Sequence, residues 1–237
     1  DRDICIACEQ CIKDCPVNDI YLKEGKAHIK NEACIKCGHC IAICPVKAVS
    51  TDDYDMSELI EYKKEDFQIE PERLLNFIKF RRSVRRFKNK EVEKEKIEKI
   101  IEAGRFAPTS TNSQDVSYTV LQKELPKIKA LTYEILNKKG QYILENMNDN
   151  IKHLERYANL WTKMYEAHKL DPKANDRLFL NAPLAIVISA KTPLDGGLAS
   201  ANMELMVDSL GLGTYFNGFF QVAAQDNEEL LNLLNIP

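Results

Sequence analysis

Beyond Cys44 this 237-residue chain has no cysteine: all eight lie within its first fifty residues. No apolar run approaches the roughly 20 residues needed to cross a bilayer, so a membrane-spanning helix is not expected. A Gly-x-Gly-x-x-Gly fingerprint for a dinucleotide-binding turn is also missing. There is no excess of charge of one sign, since the formal net charge is −3. That gives no basis for a nucleic-acid or anionic-membrane partner. No signal peptide is visible at the start, although the sequence begins with Asp1 rather than Met and may therefore have been trimmed. Tryptophan occurs once, as Trp161, while 44% hydrophobic and 29% charged residues are ordinary for a globular chain.

What the sequence does have is a duplicated cysteine run. Cys5, Cys8, Cys11 and Cys15 follow a Cys-x-x-Cys-x-x-Cys-x-x-x-Cys pattern closed by Pro16. Cys34, Cys37, Cys40 and Cys44 repeat it, closed by Pro45, at a constant offset of 29 residues. This run resembles the iron–sulfur segment of bacterial two-cluster ferredoxins. Three thiolates at i, i+3 and i+6 can wrap three corners of one cube, and the fourth is carried away by a short helical turn to the other cluster. On that resemblance Cys5, Cys8, Cys11 and Cys44 hold one [4Fe-4S] cluster, and Cys34, Cys37, Cys40 and Cys15 hold the second. Two other readings compete. A disulfide framework needs an oxidising compartment, and zinc usually takes its ligands in two pairs. His39 falls between two ligands of a complete set, so it reads as a loop residue that tunes the cluster's surroundings. Fifty residues bury too little apolar surface to fold well alone, so clusters would have to act as their core. Such clusters imply a reducing interior, the cytoplasm of an anaerobe.

In chain order, Ile20-Tyr21-Leu22 and Ala27-His28-Ile29 flank Gly25 and predict a hairpin. Residues 1–52 are expected to be the ferredoxin domain and 53–70 an acidic linker, or alternatively a strap packed over the clusters. Residues 71–237 form the second domain. A helix is expected from Pro71 with Leu74, Leu75 and Ile78 as its apolar stripe. Another, 93–105, places Ile97, Ile100, Ile101 and Gly104 on one face. Val116–Leu121 and Leu184–Ala190 read as strands. Two helical stretches are expected at 125–139 and 141–169, then an apolar helix at 196–210, an aromatic strand at Thr214–Phe220 and a last helix at 226–234 that stops at Pro237. Trp161, Met164 and His168 read as core, with a lid over a ligand as the sharper alternative. The mixture predicts an α+β fold.

Three pieces of the second domain carry a further resemblance. These are Arg81-Arg82-Ser83-Val84-Arg85-Arg86-Phe87, Ala103 to Gln114, and Asn202 to Thr214 with its Gly211-Leu212-Gly213 turn. In this order they resemble the nitroreductase-like FMN enzymes over about residues 72–237. The implied fold is a mostly antiparallel central sheet covered by helices. Arg81, Arg82 and Arg85 offer forked, permanently charged donors suited to the FMN phosphate, and Ser83 adds a hydroxyl. Asn112 and Gln114 could read the uracil-like edge of the flavin. Pro108, Thr109 and Ser110 would supply backbone and hydroxyl contacts, as would the backbone of Gly211, Leu212 and Gly213. Each piece has a plainer explanation: a solvated basic helix end, a helix stop with a polar loop, and a left-handed helix ending.

The family implies a homodimer with FMN at its interface. Its members continue with a further strand, a basic residue near the phosphate and a segment that embraces the partner. Here the sequence ends at Pro237, so either it is a truncated product or FMN binding relies on the first arginines. The combined resemblance is to a ferredoxin–nitroreductase fusion. It implies an oxidoreductase passing low-potential electrons through two clusters to FMN, which reduces a small organic acceptor such as a nitro compound, quinone or enone. No catalytic side chain is expected, since the flavin N5 carries the chemistry. Ferredoxin or NAD(P)H is the expected donor. The alternatives are an electron-transfer protein without a substrate of its own, or an NAD(P)H-dependent enzyme exporting electrons through the clusters.

Overall fold

The 29-residue offset between the cysteine runs is also an offset in backbone conformation. The structure is a computed structural model that describes residues 1–225 and 227–236. It divides into two compact units, the first made of Asp1–Leu75 and Pro108–Gln114. Within it α1 (Gln10–Lys13) and α2 (His39–Ala42) are single turns, entered through left-handed Glu9 at φ 61° and Gly38 at φ 74°. Ala7 and Lys36, at φ 56° and 54°, repeat the match, as do Asn18 and Lys47, both at 53°. A Cβ in this region costs about 1 kcal/mol, and such residues persist only where their surroundings enforce them.

Between the copies, β1 (Ile20–Lys23) pairs antiparallel with β2 (Lys26–Ile29), Ile20 opposite Ile29. Glu24 and Gly25 both have positive φ, 52° and 71°. That is the two-residue turn whose twist suits a hairpin. In the stretch expected as a linker, a 3₁₀ turn at Met56–Glu58 is capped by Asp55, and α3 (Lys64–Phe67) follows. Asp53 pairs with Lys36 at 2.5 Å and Glu61 pairs with Lys47, so this stretch is tied to the second cysteine run. The Glu70 carboxylate then accepts the N–H groups of Glu72 and Arg73 and starts α4 (Pro71–Phe80). The expected stripe of Leu74, Leu75 and Ile78 is exposed.

The second unit comprises Asn76–Ala107 and Asp115–Pro237. Its sheet, among the described residues, is one antiparallel pair: β3 (Ser117–Leu121) and β4 (Ala185–Ser189), with Ser117 opposite Ser189 and Leu121 opposite Ala185. Helices α5 (Lys94–Arg105), α6 (Leu125–Glu145), α7 (Glu155–Leu170), α8 (Pro193–Ser209), α9 (Gly218–Ala224) and α10 (Glu228–Leu233) supply the rest, and the class is α+β. The core gathers Leu121, Ile128, Tyr133, Leu136, Trp161, Met164, Leu178, Phe179, Leu230 and Leu234. Trp161 and Met164 are thus core residues, as their helical spacing suggested. No helix of the described residues is long and apolar enough to cross a membrane.

Three expectations change. The helix break anticipated at Gly140 falls at 146–151 instead, because α6 runs through Gly140 to Glu145. A Cβ at Gly140 would stand 2.8 Å from the Ala158 carbonyl oxygen; the glycine marks where α6 and α7 touch, not where the helix stops. The expected strand Thr214–Phe220 is an extended segment leading into α9. The Asn217 side chain accepts the Phe220 N–H at 3.0 Å and starts the helix. Phe219 and Phe220, at helical positions, then pack edge-on against Trp161 and Phe179. The apolar helix expected from 196 begins at Pro193, capped by Thr192, whose Oγ1 accepts the Asp195 N–H at 3.1 Å. For the last helix, the expected first residue 226 and stop at Pro237 lie outside the described residues.

Candidate metal and cofactor sites

In the first unit the duplicated turns bring distant thiols together. Cys5, Cys8, Cys11 and Cys44 line one cavity of about 210 Å³, with Ala7, Ile20, Val46 and Ala48. Cys44 arrives there because the turn after α2 ends in the same Cys-Pro step as the turn after α1. Backbone N–H groups of Ala27 and Ala7 pull the Cys5 thiol below its usual range. Burial pushes the Cys11 thiol up, reinforced by thiolate character at Cys8, Cys44 and Cys5. In the second run burial likewise raises Cys40, with Cys34 and Cys37 as electrostatic neighbours. Amide-to-sulfur bonds repeat at the same offset: Asp19 N–H to Cys15 Sγ at 3.3 Å and Ala48 N–H to Cys44 Sγ at 3.2 Å. Such bonds stabilise thiolates and are one of the settings of cluster potential.

A small apolar cavity rimmed by four thiols, with N–H donors aimed at sulfur, fits an iron–sulfur cube. Among the described residues no three cysteine, histidine or carboxylate side chains close on one point. Nor is any thiol bonded in a disulfide: all eight cysteines are free. His39 turns its Nδ1 toward Asp14 Oδ2 at 3.5 Å, linking the two copies from the surface.

The residues expected to contact FMN fall into both units. Pro108–Gln114 belongs to the first. There Thr109 Oγ1 accepts the Gln114 N–H at 3.0 Å. Asn112 donates through Nδ2 to the carbonyls of Ile35 at 2.9 Å and Lys36 at 3.0 Å. A second cavity of about 330 Å³ is lined by Cys34, Ile35, Lys36, Asp53, Tyr54 and residues 111–114. The Asn112 amide expected to face a flavin is thus engaged with the loop between Cys34 and Cys37.

In the second unit the chain brings the arginine segment to the glycine turn. Val84 N–H donates to Thr214 O at 2.9 Å, and a Cβ on Gly213 would stand 2.5 Å from Val84 Cγ2; only glycine permits that approach. Gly211, at φ 69°, ends α8 and returns its N–H to Asp208 O. Arg81 is not free for a phosphate as it stands: its Nη1 pairs with Glu204 Oε1 at 2.7 Å. Arg82 donates to the carbonyls of Lys79 and Arg81, and Arg85 to that of Ser83. Neither has a carboxylate partner among the described residues, so both keep donors for an anion.

Sequence reasoning missed Glu204, the one carboxylate flanked by Met203, Leu205 and Met206, and an acid inside an apolar helix was the available signal. It also missed Tyr54, which packs near Gly38 and the Asn112 side chain and carries no local signature.

Comparison with known proteins finds a family for each part of the chain, and it assigns 108–114 to the second family. A 4Fe-4S dicluster domain model matches residues 1–45, and the nitroreductase family model matches residues 78–237. An NADPH-dependent oxidoreductase of Staphylococcus epidermidis is 30% identical over 64% of this chain and 55% of its own length. One from Staphylococcus aureus is 27% identical over 70% of this chain and 60% of its own. The chain therefore spans between half and two thirds of the curated relatives it matches. An FMN-bound nitroreductase from Bacteroides fragilis shares the fold at TM-score 0.50 and 22% identity, covering 69% of this chain and 80% of that one. With the family model covering most of the chain, this protein belongs to the nitroreductase family and carries a 4Fe-4S dicluster domain ahead of its nitroreductase domain.

Proposed function

We propose that the protein is an iron–sulfur flavoprotein oxidoreductase, moving electrons between two [4Fe-4S] clusters and FMN and reducing a small organic acceptor. The observation that carries this is the grouping of Cys5, Cys8 and Cys11 with Cys44 around one cavity, in a chain whose remaining length is a nitroreductase domain. When bound, the clusters supply single-electron steps and FMN the exchange between single electrons and pairs. The chain's own part is to hold and screen them. Cys5, Cys8, Cys11 and Cys44 ligate one cluster, and Cys34, Cys37, Cys40 and Cys15 the other. Arg82, Arg85 and Ser83 bind the FMN phosphate, with Arg81 held beside them by Glu204. The backbone of Gly211, Leu212 and Gly213 flanks the flavin, with Pro108, Thr109, Ser110 and Gln114 as further contacts. A homodimer completes the flavin site.

The relatives named NADPH-dependent oxidoreductases support a second reading of the direction, in which NADPH reduces the flavin and electrons leave through the clusters. The test is an anaerobic absorbance titration with iron and released flavin counted on the same sample. The expected outcome is about eight irons and one FMN per chain, with both chromophores bleaching. Bleaching by NADPH alone selects the second direction, and bleaching only by reduced ferredoxin the first. Iron at that level with no flavin, even after FMN is added, sinks the enzyme reading.

A further inference from the structure

Asn112 stands in a run of left-handed backbone. Thr111, Asn112 and Gln114 have φ of 53°, 54° and 49°, a region that residues with a Cβ enter only when held. What holds Asn112 is the second cysteine loop. Its Nδ2 donates to Ile35 O and to Lys36 O, at 2.9 and 3.0 Å, and Tyr54 lines the same cavity beside it. Ile35 and Lys36 are the only residues between Cys34 and Cys37.

The Ile35 carbonyl and the Lys36 N–H belong to one peptide plane and point in opposite directions. That same Lys36 N–H is directed at Cys34 Sγ, 3.4 Å away. Anchoring the carbonyl end therefore fixes the aim of the N–H end. Amide donors to cluster sulfurs are among the settings of reduction potential. The amide of Asn112 is thereby coupled to a ligand sulfur through a rigid lever one peptide long.

We propose that Asn112 is a positioning residue for the cluster held by Cys34, Cys37, Cys40 and Cys15, acting through the Ile35–Lys36 peptide, and not a reader of the flavin ring. The inference rests on the two-cluster reading above. Asparagine suits the post, since it tolerates left-handed backbone and presents two donors to two adjacent carbonyls.

The test is Asn112→Asp, which keeps shape and backbone tolerance but replaces both donors by an anion facing two carbonyl oxygens. Clusters are followed by EPR-monitored potentiometry, iron loss by a chelator assay, and FMN affinity by quenching of flavin fluorescence. The expected result is a lower potential for one of the two cluster signals, with the other unchanged. Iron loss from the shifted cluster should be about tenfold faster, as the loss of two neutral hydrogen bonds implies. Tyr54→Phe, a milder change, should move the same signal less and in the same direction, and it keeps the question answerable if Asn112→Asp does not fold. Weakened FMN binding with both potentials at wild-type values would overturn the proposal and return Asn112 to the flavin. Unchanged potentials and unchanged FMN binding in both variants would overturn it too. Absence of a second cluster signal from the wild-type protein would overturn this inference together with the two-cluster reading.

Discussion

Arg81 and Glu204, 123 residues apart in sequence, meet at 2.7 Å with the glutamate side chain only 10% exposed and the arginine 33%. The carboxylate lies inside a largely apolar stretch of α8, and among the described residues the Arg81 guanidinium is its ion-pair partner. Removing either partner strands the other, and a stranded buried charge costs more than the intact pair contributes. Because Arg81 is a third exposed, solvent screening brings the penalty below that of a fully buried pair. Arg81→Ala should destabilise by about 2 kcal/mol, and the double variant with Glu204→Ala by clearly less than the sum of the singles. Denaturant titration of the four proteins measures this. FMN affinity read on the same set separates the roles: a loss in Arg81→Ala well beyond that in Glu204→Ala assigns the guanidinium to the phosphate.

Cys44 shares its cavity with Cys5, Cys8 and Cys11, so its loss should resemble theirs and not that of its sequence neighbours. Cys44→Ser and Cys5→Ser are each expected to lower iron from about eight to about four per chain and to remove the same EPR signal. Cys15→Ser should remove the other. If Cys44→Ser instead matched Cys40→Ser, each run would be filling its own cluster.

Gly140 lies where α6 and α7 touch. Alanine there would gain about 1 kcal/mol of helix propensity, yet its Cβ would meet a backbone oxygen of Ala158 at 2.8 Å and Thr162 Cγ2 at 3.2 Å. A backbone atom cannot swing aside, and overpacking of this kind costs about 1–3 kcal/mol. Gly140→Ala should therefore lower Tm by a few degrees in a thermal melt. An unchanged or raised Tm would mean the helices can part at no cost.

Asp176 gathers four donors: Lys129 Nζ at 2.8 Å, the N–H groups of Phe179 and Asn181, and the Tyr133 hydroxyl. Burial raises its pKa, but the Lys129 bond and the two backbone donors outweigh burial and leave it below the usual 3.8. A carboxyl depressed in the folded state contributes stability that is complete above the unfolded value and fades as pH falls through the folded one. Asp176→Asn should thus cost about 2–3 kcal/mol at neutral pH, and its deficit against wild type should shrink below about pH 4. Paired melts from pH 7 to 3 follow it; a deficit independent of pH would point to geometry alone.

Legibility from the sequence tracked how local each cause was. The cysteine runs could be read because metal spacing is written within a dozen residues, and β3, β4 and α5 because periodicity is local too. The segment 214–220 misled because Tyr215, Phe216, Phe219 and Phe220 suit a strand and a helix equally, and only the cap at Asn217 separates them. The boundary expected between 139 and 141 was misplaced, because a helical glycine has two uses, and the neighbour that decides between them, Ala158, lies on another helix. For Asn112 the chemistry was legible, an amide with two donors, but its recipients 76 and 77 residues earlier were not. Glu204 stood out as an acid in an apolar helix, but its partner Arg81, 123 residues earlier, did not.

The position of Cys44 in the first cavity also bears on the order of events during synthesis. A ribosome that has made everything through Cys15 has supplied all four thiols of one run but only three of those around that cavity. The fourth is made 29 residues later, a delay of roughly 1.5–6 s at ordinary rates of translation. During that interval the nascent chain holds three of the four thiols that line the cavity. The hairpin β1–β2, made in the interval, is the part that folds the chain back so that the late thiol returns to the early ones. On the proposed ligand assignment, iron delivery to this cavity would wait for it.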